Sequence, residues 1–262
     1  MSGTPLTLVA IHGNGGGAFR FERVLPHVPE GIVWRALTLP GFDGSAADPT
    51  LTSVRDYADW IVEHIAAESR PRVLLGTGIG GSFALDAAQR HAERIDGLLL
   101  HAPVGTRLDT RLFPRLMRRP AIRRLGRRLI ASPWTRPLFR RLLFREALPR
   151  DYVRRFFEAY RHCAAFEQMF EIIHPAWFDG LRPVELPAAL LWGERERVLH
   201  VDQLEDYRRL LDEPEIRRVP GWDHFPMIEQ PEEFIREVIQ ISERLVERTP
   251  SRAEAGAAPE RP

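Results

Sequence analysis

The sequence predicts an α/β protein: a mostly parallel central sheet flanked by helices, interrupted by one all-helical insertion. Three observations carry that prediction. Short apolar runs alternate with helical patterns through the first hundred residues, the mark of βαβ units. Past Pro103 the texture changes to Arg-rich amphipathic stretches broken by Pro114, Pro120, Pro133, Pro137 and Pro149, with no strand pattern among them. Strand patterns then return at LPAALLWGE and EIRRVPGW, so the sheet resumes after the insertion.

Taken in order, TLVAIHG is the first core strand and GIVWRALTLPG the second. Val54, Tyr57, Ala58, Ile61 and Ile65 then recur with a 3.6-residue period behind Thr52 or Ser53 as a cap, which predicts a helix. RVLLG forms a strand, Ser82 to His91 a helix, and IDGLLLHAP another strand. Within the insertion, Leu112 with Leu116, Ile122 with Leu125 and Leu129, and Leu138 with Leu142 form apolar stripes expected to pack over a pocket, leaving Arg outside. The last helix follows Pro231 through Phe234, Val238, Ile241 and Leu245. The expected organisation is a core of residues 1–105 and 181–248, a helical Arg-rich cap at 106–180, and a tail at 249–262 whose composition predicts disorder.

At 262 residues and 44% hydrophobic content the chain can bury one large core. The sole cysteine, Cys163, excludes an internal disulfide and any multi-cysteine metal site, and a cytoplasmic location is the expectation. The first apolar run is short and has no cationic stretch ahead of it, which argues against a signal or transmembrane segment. Net charge is +1, yet from Arg107 to Arg161 seventeen Arg face four acids, so one strongly basic segment sits in a near-neutral chain.

Residues 74–85, LLGTGIGGSFAL, fit two templates. Gly76, Gly78 and Gly81 spell G-x-G-x-x-G, the turn that lays a dinucleotide pyrophosphate on a helix N-terminus. That reading needs an acid at the end of the next strand. Asp96 sits at the wrong end of IDGLLLH, and two strands already precede Leu74, which disfavours a dinucleotide site. Shifted, Gly76 to Gly80 become G-x-S-x-G with glycine where serine should stand.

At this point the chain resembles the α/β-hydrolase superfamily from Leu6 to about Val246. Four motifs fall in that family's order: His12-Gly13-Asn14-Gly15, LPGFDGS at 39–45, the elbow LLGTGIGG, and the late pair LLWGERE at 190–196 with PGWDHFPMIEQPEEF at 220–234. The resemblance implies an α/β-hydrolase fold with a helical cap. It puts the catalytic His on His224, the acid on Glu196 where most relatives have Asp, the nucleophile position on Gly78, and the oxyanion hole on the backbone N–H groups of Asn14 and Ile79. Glu194, Asp202 and Asp223 lie near enough in sequence to compete with Glu196.

Gly78 lacks the oxygen that covalent acyl chemistry requires. Thr77 should point into the fold, Ser82 onto a packing face, and Cys163 reads as a small buried thiol, so none replaces it. His12 reads as a structural support for its loop, and His101, ending the strand LLLH, as a candidate pocket residue.

Two functions remain in view. One is a cofactor-free enzyme in which a His–Glu dyad faces an oxyanion hole and performs noncovalent general-base chemistry, by water attack or as a lyase or isomerase, on a small carbonyl-containing substrate. The alternative is an inactive pseudo-hydrolase that binds a ligand or a partner. No metal cluster or cofactor motif is found in the sequence. The basic cap suits solvated helix faces with steering of an anionic or carrier-bound acyl substrate, or contact with an anionic membrane surface. Nucleic acid is disfavoured because no recognition motif accompanies the charge.

Overall fold

The computed structural model describes residues 5–249. Six parallel strands form one sheet: β1 (Leu6–Ile11), β2 (Ile32–Leu37), β3 (Arg72–Gly78), β4 (Gly97–Pro103), β5 (Ala188–Gly193) and β6 (Glu215–Val219), in the order β2-β1-β3-β4-β5-β6. β1, β3, β4 and β5 are buried along their whole length, which is why they read as continuous apolar runs rather than alternating ones. β2 and β6 are the edges and keep exposed positions. The chain leaves β1 toward β2 and returns on β1's other side as β3. The loops after β1 and β3 therefore diverge at the carboxyl edge of the sheet, where open α/β sheets place their ligands.

α1 (Val54–His64) begins as expected: the Ser53 side chain accepts from the Asp56 N–H at 3.2 Å, and the Asp56 carboxylate accepts from the Ser53 N–H at 2.8 Å. α2 (Ile79–Arg90) starts three residues earlier than the sequence suggested. Glycine's low helix propensity hid its first turn. A Cβ on Gly80 would lie 2.5 Å from the Ile11 carbonyl oxygen, so close packing of α2 on the sheet demands glycine there.

Between β4 and β5 the described residues hold six helices and no sheet strand: α3 (Leu112–Met117), α4 (Pro120–Ala131), α5 (Arg136–Leu143), α6 (Arg150–Arg161), α7 (Met169–Ile172) and α8 (Pro175–Asp179). α9 (Leu204–Arg208), α10 (Pro226–Glu229) and α11 (Pro231–Glu247) complete the core, with α11 packed across β3, β4 and β5. A ten-residue 3-10 segment, Ala18–His27, follows the first loop and was not foreseen.

One expectation is corrected. Leu112, Leu116, Leu125, Leu129, Leu138 and Leu142 do not face inward but are exposed. The inner contacts come instead from Met117, Ile130, Ala131, Phe139 and Leu143, because α6 already covers the core with its own aromatic face of Tyr152, Phe156, Phe157 and Tyr160, and α4 stacks outside it. The tail expectation at 249–262 falls, from residue 250 onward, outside the described residues.

Candidate functional site

The turn from β3 into α2 has Gly78 at its apex, with φ 56° and ψ −120°, a conformation that costs glycine little and other residues more. Around it there is room: an added Cβ would meet only the Gly13 Cα, at 3.4 Å. That contact also fixes Gly78 beside the loop that carries Asn14. Ile79 is the first residue of α2, so its N–H has no intrahelical acceptor and points out of the positive end of the helix.

The loops after β5 and β6 bring Glu196 and His224 together. His224 Nδ1 lies 2.8 Å from Glu196 Oε2. A carboxylate can only accept, so Nδ1 carries the proton and Nε2 is left as an acceptor with no donor among the described residues. The second oxygen, Oε1, accepts from the N–H groups of Val198 at 2.6 Å and Leu199 at 3.0 Å. Burial pushes the Glu196 carboxyl up, but the His224 ring and these hydrogen bonds outweigh it and hold the group below the usual range. The competing carboxylates are engaged elsewhere: Glu194 with Arg218, Asp202 with Arg107 and Arg111, and Asp223 with Arg145 and Arg197. Asp223 is buried, and its Oδ1 accepts the His224 backbone N–H at 3.0 Å, so it sets the loop rather than the ring.

The Asn14 side chain is spent on the loop itself, accepting from the Gly15 N–H at 2.9 Å and donating to the Phe166 carbonyl of the insertion at 3.3 Å. Tyr160 of α6 presses on the same loop, where a Cβ on Gly15 would lie 2.2 Å from its ring. Arg20, which no sequence motif flagged, is only 4% exposed. Its Nη2 donates to the Gly15 carbonyl at 3.1 Å, and its guanidinium carbon sits 3.4 Å from the Phe156 ring centroid and 5.3 Å from that of Phe225, the neighbour of His224. Nε and Nη1 have no partner among the described residues. The one sequence hint was its placement between Phe19 and Phe21.

His12 is a loop support: Nε2 accepts the Leu39 N–H at 3.1 Å and Nδ1 faces the Gly13 carbonyl at 2.9 Å. Burial lowers its pKa to about 4. His101 is 1% exposed and packs edge-on against Trp222 and Phe234, away from any open surface. Burial lowers its pKa also to about 4. Thr77 bonds the Ile11 carbonyl and Ser82 the Val104 carbonyl, both pointing inward. Cys163 is buried, and burial pushes its thiol up to about 12. Asp96 is tied to Arg70 and the Arg72 N–H at the amino end of β4, far from any dinucleotide ribose position. Among the described residues no group of three or more His, Cys, Asp or Glu is placed to hold a metal, and no helix is long and apolar enough to cross a membrane.

Residues 8–237 match the sequence model described as the alpha/beta hydrolase family. A curated relative, the pimeloyl-[acyl-carrier protein] methyl ester esterase of Aromatoleum aromaticum, is 33% identical over 100 residues, 38% of this chain and 36% of that protein; the match thus spans about a third of the relative's length. Among solved structures, a membrane phospholipase A described as a bacterial virulence factor superposes with TM-score 0.75 at 28% identity, covering 92% of this chain and 79% of that one. An esterase from Exiguobacterium antarcticum gives TM-score 0.74 at 17% identity over 92% and 93% of the two chains.

Proposed function

The chain belongs to the α/β hydrolase family, and from that premise we propose that it is an enzyme of the hydrolase or lyase type that omits the covalent step, with His224 as general base, Glu196 as its orienting acid, and Asn14 and Ile79 as the oxyanion hole. The observation that carries this reading is the 2.8 Å bond from His224 Nδ1 to Glu196 Oε2 in a protein whose strand-to-helix apex is glycine.

In hydrolysis, Nε2 of His224 takes a proton from water as the water oxygen bonds the carbonyl carbon. The negative charge that develops on the carbonyl oxygen is met by the two backbone N–H groups and the positive end of α2. Collapse of that adduct breaks the bond to the leaving group, which departs with the proton His224 holds. Glu196, kept ionised, stabilises the imidazolium between the two transfers. The same base facing the same hole can remove a proton next to a carbonyl, since an enolate places its charge on the same oxygen. Gly78 contributes by leaving space at the apex for the water or the reacting carbon.

The expected substrate is a small carbonyl-bearing molecule held under the helical insertion, which serves as a cap. The curated relative is named for action on an acyl group on a carrier protein, and the Arg-rich insertion is compatible with an acidic carrier here. A second reading, a catalytically silent binding protein, is favoured by one observation: the Tyr160 ring lies directly on the Gly15 loop. The experiment that separates the two is His224→Ala. An enzyme loses its turnover while its thermal stability stays near wild type; unchanged turnover would refute the base assignment.

A further inference from the structure

Of the twelve exposed large hydrophobic side chains among the described residues, eight lie between Leu112 and Leu142. They are arranged, not scattered. α3 presents Leu112, Phe113 and Leu116, while its Met117 turns inward. α4 presents Leu125 and Leu129, while Ile122, Ile130 and Ala131 pack on the core. Trp134, in the connection to α5, is 94% exposed, and α5 adds Leu138 and Leu142 outside Phe139 and Leu143. Soluble surfaces rarely gather so many large apolar groups in one thirty-residue stretch without a use for them.

The charges in the same stretch say what covers the face. Arg115, Arg118, Arg119, Arg128 and Arg141 are exposed, and among the described residues none of the five forms an ion pair. Beside Trp134 a surface cavity of about 280 Å³ is lined by Arg127, Arg128 and Arg161 with Ala131, Ser132 and Pro133. A second copy of this chain docking through the same face would bring these cations together and is disfavoured. Short amphipathic helices with Leu, Phe and Trp on one side and Arg around them are what an anionic lipid interface takes up: apolar side chains enter the acyl boundary while arginines stay at the phosphates.

We propose that α3, α4, the Trp134 connection and α5 form a peripheral membrane-docking surface that binds anionic bilayers, with Trp134 and the outward leucines inserted and the unpaired arginines at the headgroups. The insertion thereby sets the covered site of the core against a lipid surface. This does not depend on the chemistry at His224, because its readout is binding rather than turnover.

The full chain is sedimented with large unilamellar vesicles of phosphatidylcholine with or without 30 mole per cent phosphatidylglycerol. It should pellet with the anionic vesicles and remain soluble with pure phosphatidylcholine. Arg118→Ser with Arg119→Ser and Arg128→Ser should weaken vesicle affinity on the order of a hundredfold at low salt. Leu125→Ser with Leu129→Ser and Trp134→Ser should weaken it at least tenfold at unchanged melting temperature. The emission difference between wild type and Trp134→Phe should shift to the blue when anionic vesicles are added. Failure to pellet overturns the proposal, as does full binding by the apolar triple variant. So would a face that ignores vesicles but is needed for binding a purified acidic carrier protein, or for dimerisation.

Discussion

Glu196 divides its two oxygens between the ring of His224, at 2.8 Å, and the consecutive N–H groups of Val198 and Leu199, at 2.6 and 3.0 Å. Both oxygens have donors, which fix the carboxylate in position and help to keep it ionised. Glu196→Gln breaks that match at one end. An amide can offer its oxygen to the two backbone donors only by turning its NH2 toward Nδ1, which then has to give up its proton and move it to Nε2, the atom proposed to act as base. kcat of the native reaction should fall by about 10² to 10⁴, with KM nearly unchanged. A drop in KM-dependent binding alone, with kcat intact, would show that Glu196 serves only the fold.

Gly78→Ser should create an esterase. The apex has φ 56°, which strains any residue with a Cβ, and the cost is about 1–3 kcal/mol, or a melting temperature lowered by roughly 2–10 °C. Space is not the obstacle, since only the Gly13 Cα comes within 3.4 Å of the new Cβ. Generic p-nitrophenyl esters should then give a burst of one equivalent of product, the acyl-enzyme. A folded variant with no burst would mean that base and hole are not aimed at the apex.

Much of this was legible in the sequence, for reasons that differ by element. The buried strands announced themselves because a parallel sheet covered on both faces needs unbroken apolar runs, as at RVLLG and IDGLLLH. The pairing of His224 with Glu196 came from the family resemblance of two loop motifs, and the three competing acids could not be set aside until their arginine partners were seen. Periodicity along α3, α4 and α5 found the apolar stripes but gave them the wrong side. A stripe records only that one face differs from the other, and α6 had already taken the inner position. Arg20 was invisible because its environment is made by residues 136 positions away, at Phe156, and farther still at Phe225.

Arg20 combines a buried charge, one hydrogen bond to the Gly15 carbonyl, and two nitrogens, Nε and Nη1, without partners among the described residues. Removing it with a side chain of similar length should therefore be tolerated by the fold, because the desolvation of an unpaired guanidinium roughly offsets its stacking on Phe156. Arg20→Met should change stability by less than about 1.5 kcal/mol. Activity should nonetheless drop at least tenfold, since Gly15 loses the donor that holds the loop next to Asn14. The control is Arg20→Ala, which leaves a cavity and should cost about 3 kcal/mol. Equal urea midpoints for the two variants would contradict this account.

His12 and His101 make the fold acid-sensitive above the range in which carboxylates titrate. Both are lowered by burial from 6.5 to about 4, so the unfolded chain binds more protons than the folded one between those values. Their contribution is fully present above pH 6.5 and is lost as pH falls toward 4, by about 3 kcal/mol for each ring at full protonation. Urea unfolding at pH 7 and pH 5 should thus show a clear decline in stability. Replacing His101 separates the two sources. Its ring lies edge-on to Trp222 and Phe234 in an apolar setting, and its Nε2 has no partner among the described residues, so His101→Phe loses no hydrogen bond at that atom. The decline between pH 7 and pH 5 should shrink by about half in that variant, with the remainder belonging to His12, whose Nε2 must stay unprotonated to accept from Leu39. An unaltered decline in His101→Phe would place the acid sensitivity elsewhere.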